Sequence, residues 1–269
     1  MRLLSMLGLA LTLSLSSVSA NAASVLIFGD FQSSQNNVQN VLEDAGDTVT
    51  NVATGNLPTD ISGFDTIWVM NIFTSYGAAL EQQLIDFIAG GGGVYMTAER
   101  PCCDAANTSI QTIINASLLS GSVVVSSFGT DVFGPFEYNS DTVGNLDADL
   151  QEGWVPDGPG QIEGVSGDNV VVTATDSGRA VAAAWDEDDL GSGRIAVFGD
   201  INWLQDLTAG EEQVVLNTQE FLFDGFVGVN PDPIDDDPID VRPSVIPLPA
   251  AGWLLLASLG GLVAFRRRA

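Results

Sequence analysis

Residues 90–107 read GGGGVYMTAERPCCDAAN, the pattern of a glycine-rich turn, a buried strand, a sharp bend and the beginning of a helix. An apolar run bounded by glycine is typical of a strand that is covered on both faces of a parallel sheet. The bend carries two adjacent cysteines, Cys102 and Cys103. Because many α/β enzymes place a nucleophile at such a bend, the stretch raises the question whether either cysteine is catalytic.

Further strands are predicted on both sides of this stretch. The apolar runs SVLIFGD (24–30), FDTIWVMNI (64–72) and GRIAVFGD (193–200) resemble the strand at 94–99, and DTVTNVA (47–53) predicts another. Such runs, separated by helical patterns, indicate parallel strands joined by crossover helices.

Helical periodicity fills the gaps between these strands. Ser33 or Ser34 is expected to cap the first helix, and Gly46 to end it. Three further helices are predicted over residues 78–89, 104–119 and 211–224. The sequence therefore predicts an α/β domain over residues 23–228, with a mostly parallel sheet between two layers of helices.

Residues 120–168 interrupt this alternation. They contain the run SVVVSSF and several Gly, Pro and Asp residues, but no helical periodicity. We therefore expect one strand and a long loop insertion that covers an edge of the sheet. The runs NVVVTAT and RAVAAAW follow, separated by the turn DSG, and predict an antiparallel hairpin.

The charge balance limits the possible functions. The chain has 35 acidic residues and 8 basic residues, no histidine and a net charge of −27. Nucleic acid is excluded as a partner because its phosphates need cationic side chains. Without an imidazole, Ser-His-Asp catalysis, Cys-His catalysis and His-ligated metal sites are excluded as well. Carboxylates, Tyr, Arg and the two cysteines remain for chemistry.

The N-terminus has the pattern of a secretory signal peptide. Residues 1–22 contain Arg2, an apolar run from Leu3 to Leu15, and the small-x-small end Ala20-Asn21-Ala22. The apolar run is too short for a membrane span. We therefore expect export through the Sec translocon and cleavage by signal peptidase before Ala23.

The C-terminus carries a second signal, in residues 246–269. About twenty apolar residues extend from Ile246 to Phe265, and the cluster Arg266, Arg267 and Arg268 follows them. This length just spans a bilayer, and the positive-inside rule would keep the arginines cytoplasmic. The sequence thus predicts a C-terminal transmembrane helix in the inner membrane.

This C-terminal segment resembles the PEP-CTERM family of sorting signals in its VPLPA variant. The resemblance lies in the order of a short proline motif, a transmembrane segment and a terminal arginine cluster, with Ile where the variant usually has Val. The motif residues are Ile246, Pro247, Leu248, Pro249 and Ala250. The resemblance implies a Gram-negative bacterium whose exosortase directs the protein to the cell surface or extracellular matrix. A plain retained anchor is the alternative.

Residues 229–245 read VNPDPIDDDPIDVRPSV. Proline removes backbone donors and the like charges repel each other, so we expect an extended acidic linker. A Ca²⁺ site in this linker is the weaker interpretation, because the regular proline spacing opposes a closed loop.

The body of the chain, residues 23–228, resembles the class I glutamine amidotransferase-like fold, a flavodoxin-like three-layer sandwich. The resemblance is carried by VLIFGD, FDTIWVMN, LIDFIAGGGGVYMTAE and GRIAVFGDINWL. Catalytic members have a cysteine in a glycine-flanked bend and a downstream histidine. Here the bend reads Glu99-Arg100-Pro101-Cys102-Cys103, without the glycines, and the histidine is absent. The resemblance therefore implies the fold without amidotransferase activity.

The two cysteines leave four alternatives open. An exported protein meets an oxidising compartment, which favours a vicinal disulfide between Cys102 and Cys103 over two free thiols, and links between chains are a further alternative. A catalytic thiolate has no histidine to activate it, although Arg100 and a helix N-terminus would lower the thiol pKa.

Four polar residues follow predicted parallel strands: Asp30, Glu99, Asp200 and Asn202. The carboxyl edge of such a sheet is where ligands bind. These groups therefore suggest a hard-cation site, with Ca²⁺ as the candidate, or a carboxylate pair for glycoside cleavage. The other interpretation is that they cap helices and turns, with Arg100 as the ion partner of Glu99 or Asp200.

Three functional hypotheses result. The first is an exported surface or matrix protein without catalytic activity. The second is a carboxylate-dependent hydrolase or a binding protein for extracellular polysaccharide, in which Trp154 and Trp203 could stack on sugars. The third is a Ca²⁺-dependent adhesive module.

Overall fold

A computed structural model of the chain describes residues 22–126, 130–139, 146 and 156–223. All of them belong to the first of two units, residues 1–227. The predicted linker and sorting signal, and all of the signal peptide but its last residue, lie outside the described residues. No helix in the described part has the length and apolar character needed to cross a membrane, and the span predicted at 246–265 falls outside it.

Ten strands and five α-helices are formed by the described residues. The strands are β1 (Ser24–Gly29), β2 (Thr48–Ala53), β3 (Thr66–Met70), β4 (Gly93–Thr97), β5 (Val124–Val125), β6 (Phe136–Tyr138), β7 (Ile162–Glu163), β8 (Val170–Ala174), β9 (Arg179–Trp185) and β10 (Arg194–Phe198). The helices are α1 (Gln32–Ala45), α2 (Ala78–Ala89), α3 (Asp104–Ser117), α4 (Glu187–Leu190) and α5 (Ala209–Leu222).

The strands form one sheet with a parallel half and an antiparallel half. The parallel half has the order β2-β1-β3-β4-β10, and every neighbouring pair in it is parallel. The antiparallel half consists of β5 to β9, and β9 joins the two halves by pairing antiparallel to β10. The predicted α/β fold is confirmed, and the sheet is mostly parallel when paired residues rather than strands are compared, because the parallel pairings are the longer ones.

Helices cover both faces of the parallel half. Successive side chains of a strand point to opposite faces of the sheet, so each buried strand packs against helices on both sides. Val25 and Ile27 of β1 pack in one cluster with α1 and α5. Leu26 and Phe28 pack in a second cluster with α2 and α3. The sheet is therefore the middle layer of three.

Glycine is required where the chain passes very close to another backbone. A Cβ atom at Gly29, the last residue of β1, would overlap the backbone carbonyl of Met70 at the end of β3. Gly46 ends α1 in the left-handed region, with φ of 106°. This is the conformation that favours glycine, and it confirms the predicted end of the helix.

Two sequence-based predictions differ from the structure. Helix α1 begins at Gln32 with Phe31 in the N-cap position and no side-chain cap, so the predicted cap at Ser33 or Ser34 is wrong. Both serines already lie in the first helical turn. The region 120–168 is also richer in strands than expected, because its described part holds β5, β6 and β7.

Candidate functional site

The carboxyl ends of the parallel strands surround a small pocket, here called the edge pocket. Its volume is about 130 Å³. Four strand-to-helix turns and the insertion contribute its lining, which consists of Phe31, Ile72, Phe73, Glu99, Arg100, Cys102, Gly158, Ile201 and Asn202. This is the position at which open α/β sheets bind their ligands.

Glu99 is the buried acid of this pocket, with 6% of its surface exposed. Its carboxylate accepts hydrogen bonds from the backbone N–H of Ile201 at 3.0 Å and of Arg100 at 3.3 Å. Burial, and to a smaller extent the charge of Asp200, raise the pKa of Glu99 to about 7. The side chain can therefore hold a proton near neutral pH.

The turn that carries Glu99 is fixed by Asn107 of α3. The Asn107 side chain accepts from the Glu99 backbone N–H at 3.0 Å and donates to the Glu99 carbonyl at 2.8 Å. Asn107 is itself buried. The bend after β4 is thus held by a side chain rather than by the flanking glycines of a catalytic elbow.

Asp200 lies next to Glu99 but is not part of the pocket lining. Its carboxylate accepts from the backbone N–H of Asp157 at 2.6 Å and of Asn202 at 2.7 Å. Burial raises the pKa of Asp200. The Asp200 carboxylate therefore links the end of β10 to the insertion through its hydrogen bond with Asp157, which is a structural role.

The structure does not bring the four predicted edge residues to one point. Asp30 accepts from the backbone N–H groups of Ile72 and Phe73, at 3.2 and 3.1 Å, and so caps the turn after β3. The side chain of Asn202 accepts from Gln205 instead. Among the residues that the structure describes, no group of three or more Asp, Glu, Cys or His side chains is placed to hold a metal ion.

Cys102 and Cys103 are joined in a vicinal disulfide, and Cys102 lines the pocket. A disulfide sulfur is not a thiolate, so it cannot act as the nucleophile of an amidotransferase. Helix α3 begins immediately after Cys103.

Arg100 does not form the predicted ion pair with Glu99 or Asp200. Its guanidinium binds both carboxylate oxygens of Asp131, at 3.0 and 3.2 Å. Asp131 belongs to the insertion, and the sequence carries no signal for this contact, because 31 residues separate the two partners.

Two phenylalanines that no motif in the sequence marks, Phe31 and Phe73, contribute apolar lining to the pocket. The rings of Phe31 and Phe73 lie 5.4 Å apart, and Phe73 is 61% exposed. By contrast, Trp203 is buried against Phe198, and Trp154 lies outside the described residues. The only usable signal was position, since both phenylalanines follow a parallel strand within three residues.

A larger open groove of about 570 Å³ lies between α1 and α5. None of its lining residues is buried, so it lacks the enclosed ionisable group that marks the edge pocket. The edge pocket is therefore the candidate site.

Comparison with known proteins gives a likeness of fold alone. No protein-family model matches the chain, and no curated protein matches it in sequence. Among solved structures, the N-terminal domain of mmIFT52 matches with a TM-score of 0.51 and 13% identity, over 72% of this chain and 95% of that one. The chain thus shares an α/β fold with this domain.

Two further solved structures are similar at lower scores. A ThuA-like protein from Parabacteroides merdae matches with a TM-score of 0.48 and 16% identity, over 76% of this chain and 91% of that one. A protein described as a GMP synthase subunit, from Thermoplasma acidophilum, matches with a TM-score of 0.48 and 10% identity, over 75% and 94% of the two chains.

Proposed function

We propose that the chain is an exported bacterial surface or extracellular-matrix protein, and that its α/β domain has the class I glutamine amidotransferase-like topology without catalysis. Its partners are the Sec translocon, signal peptidase and an exosortase. The C-terminal helix holds it in the inner membrane until the exosortase acts. The order of proline motif, apolar segment and arginine cluster in residues 246–268 supports this route.

The proposal that the domain is not catalytic is supported by one observation: the candidate carboxylates and cysteines at the sheet edge are already bonded to other groups of the protein. The carboxylates of Asp30, Glu99 and Asp200 each accept two backbone N–H groups. Both sulfurs are bonded to each other. These contacts are those of turn-capping groups, and they leave no activated nucleophile among the described residues of the edge.

Two of the alternatives, glycoside hydrolysis and a Ca²⁺-dependent module, have less support than the non-catalytic function. Glycoside hydrolysis with two carboxylates requires both to face the sugar, and of the three candidates only Glu99 lines the pocket. A Ca²⁺-dependent module requires several oxygen ligands around one point, whereas Asp30, Asp200 and Asn202 turn to separate partners.

The sorting route is tested by the intact mass of the full chain recovered from its own bacterium. The expected mass lacks the signal peptide and the residues after the proline motif. The double variant Pro247→Ala/Pro249→Ala should keep its C-terminus and remain in the inner membrane. The matched control Pro231→Ala/Pro233→Ala changes two linker prolines and should be processed normally. A wild-type chain that retains its C-terminus at the cell surface would contradict the route.

The absence of catalysis is tested separately with amide, ester and glycoside substrates. We expect no turnover above the buffer rate. Hydrolysis that disappears in Cys102→Ser or in Glu99→Gln would refute the non-catalytic part and leave the sorting route intact.

A further inference from the structure

We propose that the edge pocket binds a single neutral sugar ring, such as the terminal residue of an extracellular polysaccharide. This inference rests on the proposed surface role and deepens it by naming the ligand class of the sheet edge. It is supported by the size of the pocket, its aromatic side and its charge.

The pocket is small enough to select a small ligand. Its volume of about 130 Å³ is well below the range of roughly 300–1,000 Å³ that is usual for drug-sized ligands. One six-membered ring with its hydroxyl groups fits this space, whereas a nucleotide or several consecutive sugar residues do not. The terminal ring of a polysaccharide can therefore enter the pocket, and the rest of the polysaccharide stays outside it.

One side of the pocket is apolar and carries an exposed aromatic ring. Phe73 is 61% exposed and leans on Phe31, with 36° between the ring planes. Ile72 and Cys102 extend this apolar side. The negative face of an aromatic ring attracts the weakly positive C–H groups of a sugar ring, so Phe73 offers a stacking surface at the pocket mouth.

The other side offers polar groups for hydroxyls. Glu99 contributes a buried carboxyl group to the lining, and Asn202 contributes an exposed amide. Buried polar groups in a small pocket orient a ligand by hydrogen bonds. Both Glu99 oxygens already accept backbone N–H groups, so what the side chain offers a ligand hydroxyl is a proton to donate, because burial raises its pKa to about 7.

The charges disfavour an ionic ligand. Arg100 binds both oxygens of Asp131 through its Nη1 atom, and the negative charge of Asp200 acts on Glu99. A net charge of −27 repels anions from the whole surface. Phosphates and uronic acids are therefore disfavoured as ligands. A proton on Glu99 also removes the fixed negative charge that would attract a cation. A neutral ring with one apolar face is the chemistry that remains.

The test uses the full chain in a non-glycosidic detergent and saturation-transfer NMR of four probes. These are the methyl glycosides of glucose, galactose, mannose and N-acetylglucosamine. At least one should bind, with a Kd on the order of 1 mM. Phe73→Ala should weaken that binding tenfold or more. The matched control is Phe133→Ala, because Phe133 is similarly exposed, at 69%, but does not line the pocket.

Several results would overturn the proposal. The first is that no glycoside binds at tens of millimolar. The second is that Phe73→Ala and Phe133→Ala weaken glycoside binding equally. The third is that glucuronate or adenosine binds better than the glycosides. Circular dichroism of both variants shows whether each is folded, and exposure of both rings predicts that they are. A glycoside that is bound and also hydrolysed would keep the pocket inference and refute the non-catalytic function, so the two failures are distinguishable.

Discussion

The parallel half and the antiparallel half of the sheet differ in how uniform their strands are in length. β1, β3, β4 and β10 have five or six residues each, almost all of them buried. In the antiparallel half, β8 and β9 have five and seven residues and are mostly buried, but β5 and β7 have only two residues and β6 has three. A long apolar strand is visible in the sequence, whereas a two-residue strand exists only through its partner.

The two halves are also joined by individual polar contacts at the sheet edge. The backbone N–H of Gly160 donates to the Gly199 carbonyl at 2.8 Å, and Asp157 donates to Asp200. The ion pair of Arg100 with Asp131 is a third such contact. The edge pocket therefore lies where the parallel half meets the insertion, at a boundary held by these individual polar contacts.

The largest effect on the free energy of unfolding should come from replacing one buried isoleucine in each half by alanine. Ile67 of β3 and Ile162 of β7 belong to the same apolar cluster and are both buried. Ile67→Ala should cost about 4 kcal/mol of unfolding free energy, because the central strand cannot close the cavity. Ile162→Ala should cost about 2 kcal/mol, because the short strand and its loops can relax into the space. Urea unfolding measures both, and equal costs would break the distinction between the halves.

A smaller effect on the free energy of unfolding is expected when pH changes the protonation of Glu99, which lies at the boundary between the halves. The pKa of Glu99 is raised by burial from 4.5 to about 7, so the folded state holds a proton that the unfolded chain releases. The free energy of unfolding should therefore fall as pH rises from about 4.5 to about 7, by at most about 3 kcal/mol.

Glu99→Gln is the control for this pH dependence, since glutamine does not titrate. Its free energy of unfolding should change less over the same pH range than that of the wild type. Identical slopes for the two proteins, measured by urea unfolding at several pH values, would show that Glu99 is not the group responsible.

The smallest effect should come from the exposed ion pair between the halves. Arg100→Gln should lower the unfolding midpoint only slightly at low salt, because an exposed pair is well hydrated and entropically costly. The difference should vanish at about 0.5 M NaCl, where screening is strong. Asp131→Asn should behave alike, and the double variant should add nothing. A large, salt-independent loss would mean that this contact holds the insertion in place.

Much of the parallel half was predictable, because burial on both faces forces a continuous apolar run. Helix α2 was predicted at its observed bounds, residues 78–89, and the hairpin of β8 and β9 was predicted from its turn. The start of α1 was missed because Ser33 has the right residue type for a cap but lies two residues after the observed N-cap, Phe31. Capping preference is local and weak, and the residue at the observed N-cap, Phe31, instead packs against the core and against Phe73.

The candidate site divides in the same way. The sequence alone determined that Asp30, Glu99 and Asp200 follow parallel strands, that histidine chemistry is absent, and that two cysteines occupy the bend after β4. Tertiary structure decided that Asp30 and Asp200 serve turns, that Arg100 binds Asp131, and that Phe31 and Phe73 form one side of a pocket. The physical reason is that strand runs and residue types are properties of neighbouring residues, whereas a pocket forms where turns distant in sequence are brought together by the order of the strands.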